Sequence, residues 1–306
     1  MSQDSISRVL WSGVVRRYPV AEQIRAAALA GFDKLTIPYD VYCRNLEAGV
    51  SARELLARAK DSGLALDFFD GFGSWLPKRY PPDAPAWIVA MLDCTAEQAL
   101  ETCLTLGLQN IVALGYFEPG AFTRSELVDY FGRFCDQAQS FGVRVDLEFI
   151  PHFGVRTLSD AWNVVREANR SNAGILLDTW HFMRSHSDLA LLKAIPPETI
   201  VNLQLADGPL TPRGATIDDD AILYRQMPGE GELPVLDILK MLLRKGSVRS
   251  VGPELFYLTD DRPEAEAAAR SAARTTETIM AKAGYPLSFA PRADGVRAPR
   301  GGALGK

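Results

Sequence analysis

The sequence predicts an α/β protein that folds as a single (β/α)8 TIM barrel. Short runs rich in β-branched and aromatic residues alternate with amphipathic helical stretches along the chain, and eight such pairs can be counted. Strict alternation predicts parallel strands joined by right-handed crossovers, in either an open doubly wound sheet or a closed barrel. The turn at residues 14–19 lacks the glycine-rich sequence of an open dinucleotide-binding sheet. Eight pairs without that turn favour the barrel.

Each predicted element follows from this periodicity. The strands are predicted at residues 8–15, 34–38, 65–69, 110–116, 144–150, 174–179, 200–206 and 251–257. The clearest helices are predicted at residues 21–30, 52–62, 96–106, 125–140, 158–168, 189–194, 235–245 and 264–283. Several helices are followed by a glycine where a left-handed residue would end them, namely Gly31, Gly63, Gly107, Gly142 and Gly284. We expect residues 1–285 to form the barrel and residues 286–306, rich in Gly, Pro, Ala and Arg, to be a disordered tail.

Composition and charge exclude several classes of protein. The chain has 306 residues, 47% of them hydrophobic and 23% charged, which is the balance of a globular protein. The net charge is −5, and the basic residues are scattered among acidic ones, which disfavours a nucleic-acid partner. The longest uncharged run, residues 102–117, is shorter than a membrane span of about 20 residues. With no export signal at the N-terminus, we expect a cytoplasmic protein without membrane association.

Four polar residues stand near the carboxyl ends of predicted strands five to eight, where such barrels place their active sites. They are Glu148, Asp178, Gln204 and Glu254, and each step between them amounts to one strand–helix unit. Three carboxylates and one amide oxygen predict an oxygen-only site for one divalent metal ion, Mn²⁺ in the first place and Mg²⁺ or Co²⁺ as alternatives. Each carboxylate by itself could instead cap a helix.

Two further residues could contact a substrate at this end of the barrel. His181 follows Asp178 closely, where it could hydrogen-bond a substrate oxygen, transfer a proton, or orient Glu148. Arg225 lies in the insertion between strands seven and eight, beside a glycine-rich segment at residues 228–232. Its guanidinium could bind a substrate hydroxyl or carboxylate, or it could be a surface arginine next to a tight turn.

Three residues are weaker candidates for substrate binding. His152 follows strand five at the predicted barrel mouth, and it could equally be a packed loop histidine. Asp70 lies among aromatic residues that follow strand three, and Trp11 lies within strand one. These groups could line a pocket for a ring-shaped or apolar substrate, although large aromatic side chains more often fill a core.

Five segments together resemble the xylose isomerase-like TIM-barrel superfamily, which includes sugar phosphate isomerases and epimerases and the family-2 AP endonucleases. They are residues 147–151 (LEFIP), 174–181 (GILLDTWH), 204–207 (QLAD), 228–232 (PGEGE) and 253–256 (PELF). The resemblance implies one divalent metal held by Glu148, Asp178, the residue at position 204 and Glu254.

The resemblance also implies roles for individual residues. Glu148 and Glu254 would flank the substrate as acid–base partners, with His181 and Arg225 binding its oxygens. This chain departs from many relatives at Gln204, where histidine is usual and where some dehydroshikimate dehydratases look similar. The three histidines of the chain cannot supply the trinuclear zinc cluster of the endonucleases, which argues against that branch.

Three functional hypotheses follow. The first is a metal-dependent isomerase or epimerase of a keto-sugar or related hydroxy-ketone, acting by proton abstraction next to a carbonyl and a metal-stabilised enediolate. The second is a metal-dependent dehydratase or other lyase of the 3-dehydroshikimate or inosose kind. A carboxylate-bearing substrate would need cations at the barrel mouth, and few are available besides Arg225 and, as further candidates, Lys78, Arg79 or Arg213. The third is a non-catalytic ligand-binding or partner subunit. Association into a homo-oligomer stays open.

Overall fold

A computed structural model describes residues 6–186, 188–258 and 262–291. Within these residues, parallel strands pair in chain order and close into one barrel, with the first strand beside the last. The strands are β1 Ser7–Leu10, β2 Lys34–Ile37, β3 Ala65–Phe72, β4 Asn110–Leu114, β5 Arg144–Glu148, β6 Ala173–Asp178, β7 Asn202–Leu205 and β8 Ser250–Pro253. This architecture confirms the predicted single (β/α)8 barrel.

Helices connect the strands on the outside of the barrel. Those in the described residues are α1 Val20–Leu29, α2 Tyr39–Glu47, α3 Ala52–Asp61, α4 Ala86–Met91, α5 Ala96–Leu106, α6 Arg124–Ser140, α7 Leu158–Ala168, α8 Thr179–Arg184, α9 Leu189–Ala194, α10 Ile217–Leu223, α11 Val235–Arg244 and α12 Ala265–Lys282. None of these helices combines the length and the apolar character that crossing a membrane would require.

Local sequence explains where many of these helices begin and end. Four helices begin with a capping box at Thr95, Thr123, Thr157 and Thr216. In each, the threonine hydroxyl accepts a hydrogen bond from the backbone N–H three residues later, and the side chain of that later residue accepts one from the threonine N–H. All five glycines predicted to end helices have φ between 63° and 87°. Because glycine reaches this left-handed region without a Cβ clash, the predicted helix ends are confirmed.

The predicted strand ends were wrong where the chain turns into loops at the barrel mouth. Strand β1 ends at Leu10, and residues Ser12–Val14 form a 3₁₀ turn instead of continuing to residue 15. Strand β8 ends at Pro253 instead of residue 257. The apolar runs continue past both strand ends because Val14 and Leu255 are buried in loops. Helices α2, α4, α8 and α10 were not predicted, since helices of six to nine residues in these loops show little periodicity.

The helical layer packs on the barrel through regular apolar stripes. In α11 the buried residues are Val235, Ile238, Leu239, Leu242 and Leu243, which is the spacing of one helix face. After α12, the chain at residues 286–291 also contacts the barrel, and Phe289 packs edge-on against Phe32 with ring centroids 5.1 Å apart. The rest of the predicted tail, residues 292–306, lies outside the described residues.

Gly252 in β8 allows the barrel to close. A Cβ at this position would lie 1.7 Å from the carbonyl oxygen of Val9 in β1. Since both atoms belong to barrel backbone that cannot move far, we expect Gly252→Ala to lower the free energy of unfolding by about 3 kcal/mol or more. The measurement is denaturant unfolding followed by circular dichroism.

Gly132→Ala is the matched control for this substitution. Gly132 lies inside α6, and the nearest atom that an added Cβ would meet is 3.6 Å away. Alanine there should raise the free energy of unfolding by about 0.5–1 kcal/mol, because glycine is the poorer helix former. Equal effects of the two substitutions would contradict the steric explanation.

Candidate active site

The strand ends bring the four predicted metal ligands to one place. Glu148 and Asp178 are the last residues of β5 and β6, and Gln204 in β7 lies opposite Asp178 in the register of the sheet. Glu254 directly follows β8, where its N–H donates to the carbonyl oxygen of Leu205 over 3.0 Å. All four side chains belong to residues no more than 6% exposed. The four predicted residues therefore meet, buried, at the carboxyl end of the barrel.

Arg225 joins this group from the loop after α10. Its Nη1 lies 2.8 Å from Asp178 Oδ2 and 3.9 Å from Glu254 Oε2, and the guanidinium lies over the Trp180 ring at 4.8 Å from the centroid. The other oxygen of Asp178 accepts from the His181 N–H over 2.8 Å and so caps α8. Asp178 therefore has a cap role and an ion-pair role together, and Arg225 is buried against it instead of lying on the surface.

His181 is held as a neutral imidazole. Its Nε2 lies 2.9 Å from Arg225 Nη2, and since arginine can only donate, Nε2 accepts and the ring proton is on Nδ1. Burial, then the charge of Arg225 and then His152, lower the pKa of His181 well below its ordinary value. The same Nε2 lies 3.6 Å from Glu148 Oε1. His181 thus stands between the arginine and one carboxyl group of the site.

The site holds more carboxyl groups than the guanidinium of Arg225 can pair with. Burial raises the pKa of Glu148 well above its ordinary value, with Asp178 and Asp70 adding to the effect and Arg225 opposing it. Burial also raises the pKa of Glu254 well above its ordinary value, with Glu148 as the largest charge contribution. Crowded carboxyl groups with one guanidinium among them would be stabilised by a further cation.

Gln204 shows that the residues fit such a cation. Its side chain is fully buried, and within the described residues neither its Oε1 nor its Nε2 has a hydrogen-bond partner. A buried amide without partners destabilises a fold by about 1–3 kcal/mol unless something binds it. Glu148, Asp178 and His181 also present ligand atoms within 4.8 Å of one another. Carboxylate oxygens with an unpartnered amide oxygen form the donor set of a hard divalent cation.

A cavity of about 290 Å³ opens onto this cluster, and Glu148, Glu254, His181 and Arg225 all line it. Asp70 also lines it, from the end of β3. Ser12 Oγ and Thr36 Oγ1 both donate to Asp70 Oδ2, over 3.1 and 3.0 Å. Burial raises the pKa of Asp70, which the two hydroxyl bonds oppose. Asp70 is therefore a fixed carboxyl group on the wall of the cavity.

Of the two remaining candidates, His152 lines the cavity and Trp11 does not. His152 lines the cavity, with Nε2 3.4 Å from Asp218 Oδ1, and burial lowers its pKa to about 4. Trp11 is fully buried against Phe68, with ring centroids 4.8 Å apart, and it is not among the side chains that line the cavity. Of the predicted site residues, Asp70, Glu148, His152, His181, Arg225 and Glu254 line the cavity. Asp178 and Gln204 lie buried at the same strand ends without lining it, and Trp11 packs into the core.

Several residues that shape the site were not predicted from the sequence. Ser12 and Thr36 hold Asp70, and Trp180 lies under the Arg225 guanidinium. Asp207 accepts from the backbone N–H groups of Gly208, Leu233 and Gly229 over 2.8, 3.0 and 3.1 Å. A buried aspartate just after a strand and before a glycine is a signal for such a role, because its carboxylate satisfies the N–H groups of a turning loop.

Asp207→Ala is expected to loosen the loop that carries Arg225. The substitution would leave three backbone N–H groups without their acceptor, and the pairing of Asp207 with Gln226 would lose its side-chain support. We expect the free energy of unfolding to fall by about 3 kcal/mol, measured by denaturant unfolding. Asp207→Asn keeps one acceptor oxygen and should lose less. Similar losses for both variants would argue against the role of the hydrogen bonds.

The chain is similar to proteins of known family. A family model described as xylose isomerase-like TIM barrel matches residues 24–278. An inosose isomerase of Bacillus subtilis (strain 168) is 31% identical over 189 residues, which is 60% of this chain and 66% of that protein. A 3-dehydroshikimate dehydratase of Pseudomonas putida is 26% identical over 259 residues, 83% of this chain but 38% of that protein. The chain thus spans just under two thirds of the first relative and well under half of the second.

A solved structure shows the same fold. The IOLI protein, crystallised with a zinc atom, superposes with a TM-score of 0.77 at 22% identity, covering 92% of this chain and 100% of that one.

Proposed function

This chain belongs to the xylose isomerase-like TIM-barrel family, and on that premise we propose that it is a divalent-metal-dependent isomerase or epimerase of a keto-sugar or related hydroxy-ketone. The observation that carries the proposal is the pair of buried carboxyl groups, Glu148 and Glu254, that line one cavity. Burial raises the pKa of Glu148 and of Glu254. A carboxyl group with a raised pKa can accept a proton and also donate one, as acid–base catalysis requires.

The proposed metal site consists of Glu148, Asp178, Gln204 and Glu254, with Mn²⁺ as the first choice and Mg²⁺ or Co²⁺ as alternatives. When bound there, the cation would polarise a carbonyl oxygen and stabilise negative charge on it. The unpartnered amide of Gln204 and the close ligand atoms of Glu148, Asp178 and His181 support a cation at this place.

The protein's own groups would move the protons. One of Glu148 and Glu254 removes the proton from the carbon next to the carbonyl, and the other returns a proton to the opposite face or to the neighbouring carbon. Arg225 and His181 would hydrogen-bond the substrate oxygens, since both side chains line the cavity beside the carboxyl groups.

A second candidate is a metal-dependent dehydratase or other lyase. The match to the 3-dehydroshikimate dehydratase covers 83% of this chain, which favours it. Elimination of water from a β-hydroxy-ketone also begins with proton removal next to the carbonyl, so the same carboxyl groups would serve. The arginines that line the cavity are both paired with carboxylates, which makes a carboxylate-bearing substrate the less favourable choice.

The test is proton–deuterium exchange followed by product analysis. The metal-loaded protein is incubated in D₂O with keto-sugars, a keto-inositol and 3-dehydroshikimate, and loss of the signal of the proton next to the carbonyl is followed by NMR. Formation of an epimer or isomer supports the first function, whereas loss of water supports the second. The absence of exchange with every ketone, in protein shown to contain metal, would contradict both.

A further inference from the structure

We propose that the cavity takes an uncharged hydroxy-ketone that carries an apolar substituent, with the ketone at the inner end and the substituent at the mouth. This inference rests on the proposed function and names the class of its substrate. It is carried by two features of the cavity: the pairing of its charged groups, and the side chains that form its outer wall.

The arginines that line the cavity are already paired with carboxylates. Two arginines line it, and each already faces a carboxylate behind the wall. Arg16 makes two bonds to Asp40, of 3.0 and 2.9 Å, and Arg225 lies 2.8 Å from Asp178. Among the described lining residues, no other arginine and no lysine is present.

Carboxyl groups outnumber these arginines along the same wall. They belong to Asp70, Glu148, Asp218, Asp219 and Glu254. A phosphate or carboxylate group is usually recognised by arginine or lysine whose charge is free to pair with it. The lining offers no such free arginine or lysine, which disfavours binding of an anionic substrate.

The outer wall of the cavity is mostly apolar. Helix α4 contributes Trp87, Ile88 and Met91 to it. Helix α10 contributes Ile222 and Leu223 together with Asp218 and Asp219. Trp87 faces Phe256 across a centroid distance of 6.3 Å, and the Arg16 guanidinium lies 5.8 Å from its ring. The indole is therefore held in place between two neighbours instead of projecting freely.

The two ends of the cavity differ in how exposed their side chains are. Glu148, His181 and Glu254 are 5–6% exposed, whereas Trp87 is 36% and Leu223 is 55% exposed. The reacting groups thus lie at the inner end, and the large apolar side chains lie at the opening. A polyhydroxylated ketone alone would fill the polar end and leave these apolar side chains in water, whereas an apolar substituent would cover them.

The experiment uses two parent ketones, called heads below, a ketohexose and a keto-inositol. Each is tested in three forms: the free polyol, a benzyl ether and a phosphate monoester. Binding to the metal-loaded protein is measured by calorimetry, and exchange of the proton next to the carbonyl by NMR. For at least one head we expect the benzyl ether to bind about tenfold more tightly than the free polyol, and the phosphate to bind more weakly.

Variants show whether the outer wall is responsible. Trp87→Ala and Leu223→Ala should reduce the ratio of benzyl-ether to polyol affinity toward one. Phe141→Ala and Leu104→Ala remove an exposed aromatic and an exposed leucine that do not line the cavity, so they should leave that ratio unchanged. Binding of the phosphate as tight as that of the benzyl ether, or no advantage of the benzyl ether for either head, would overturn the inference.

Failure of the proposed function would look different from failure of this inference. If no ketone exchanges its proton but the benzyl ether still binds more tightly in a Trp87-dependent way, the reaction is wrong and the ligand class stands. If exchange occurs with the free polyols and the benzyl group gives no advantage, the reaction stands and the ligand class is wrong.

Discussion

Glu148→Gln is expected to reduce proton exchange at the carbon next to the substrate carbonyl by about a thousandfold. Glutamine has nearly the size of glutamate and can still offer an amide oxygen, but it cannot accept and release a proton. The fold should be retained, because the substitution removes a buried carboxyl group that its surroundings disfavour in the charged form. The measurements are NMR exchange rates in D₂O, thermal melting, and metal content of the same preparations.

Metal content distinguishes the two ways in which the substitution could act. A variant that keeps its metal but loses exchange has lost a proton-transfer group, whereas one that loses both has lost a ligand. Glu254→Gln tests the partner carboxyl group in the same way, and Glu97→Gln, on the outer helix α5, is the control expected to behave like the unmodified protein. Exchange within tenfold of the unmodified rate in metal-loaded Glu148→Gln would refute its role, and retained rates in both site variants would favour a non-catalytic subunit.

Gln204→Leu is expected to have opposite effects with and without metal. In the metal-free protein the substitution removes a buried amide without partners in the described residues, so the free energy of unfolding should rise by about 1–3 kcal/mol. When free Mn²⁺ is a hundredfold above its dissociation constant, the free energy of unfolding of the unmodified protein should rise by about 2.7 kcal/mol. The variant should show little of this rise. Thermal melting with and without added metal measures both effects.

Gln204→Glu is the matched control for this prediction. A carboxylate at the same position keeps an oxygen ligand, so metal-dependent stabilisation should persist. The metal-free form should become less stable, because another carboxyl group joins Glu148, Asp178 and Glu254 in a buried cluster. Unchanged metal stabilisation in Gln204→Leu would show that the amide does not bind the cation.

Much of the candidate site could be predicted because it depends on strand order. Glu148, Asp178 and Gln204 lie in successive parallel strands of a barrel, and Glu254 directly follows the next strand. The carboxyl ends of such strands meet at one face. Predicted strands one and eight ran furthest beyond the observed strand ends at this same face, to residues 15 and 257 instead of 10 and 253. Their apolar runs continue into buried loops, and the period of hydrophobic residues does not distinguish a buried loop from a strand.

The roles of Arg225 and Trp11 depended on information that the local pattern lacks. The sequence allowed Arg225 to be a surface arginine, and the fold buries it against Asp178, 47 residues earlier in the chain. Trp11 was a candidate for substrate binding with the core as the alternative, and it packs on Phe68 instead of lining the cavity. A large aromatic in a strand suits either position, and only the path of the loops decides between them.

The barrel, its strand order, the glycines that end its helices and the four residues at its carboxyl end could all be predicted from the sequence. These features follow from local periodicity and from the order of elements along the chain. Tertiary structure alone decided that Ser12 and Thr36 hold Asp70, that Arg16 and Arg225 are paired, and that two short helices form an apolar mouth. Contacts of this kind join residues from different loops, and their burial and pairing depend on how those loops fold over the barrel rather than on any repeat in the sequence.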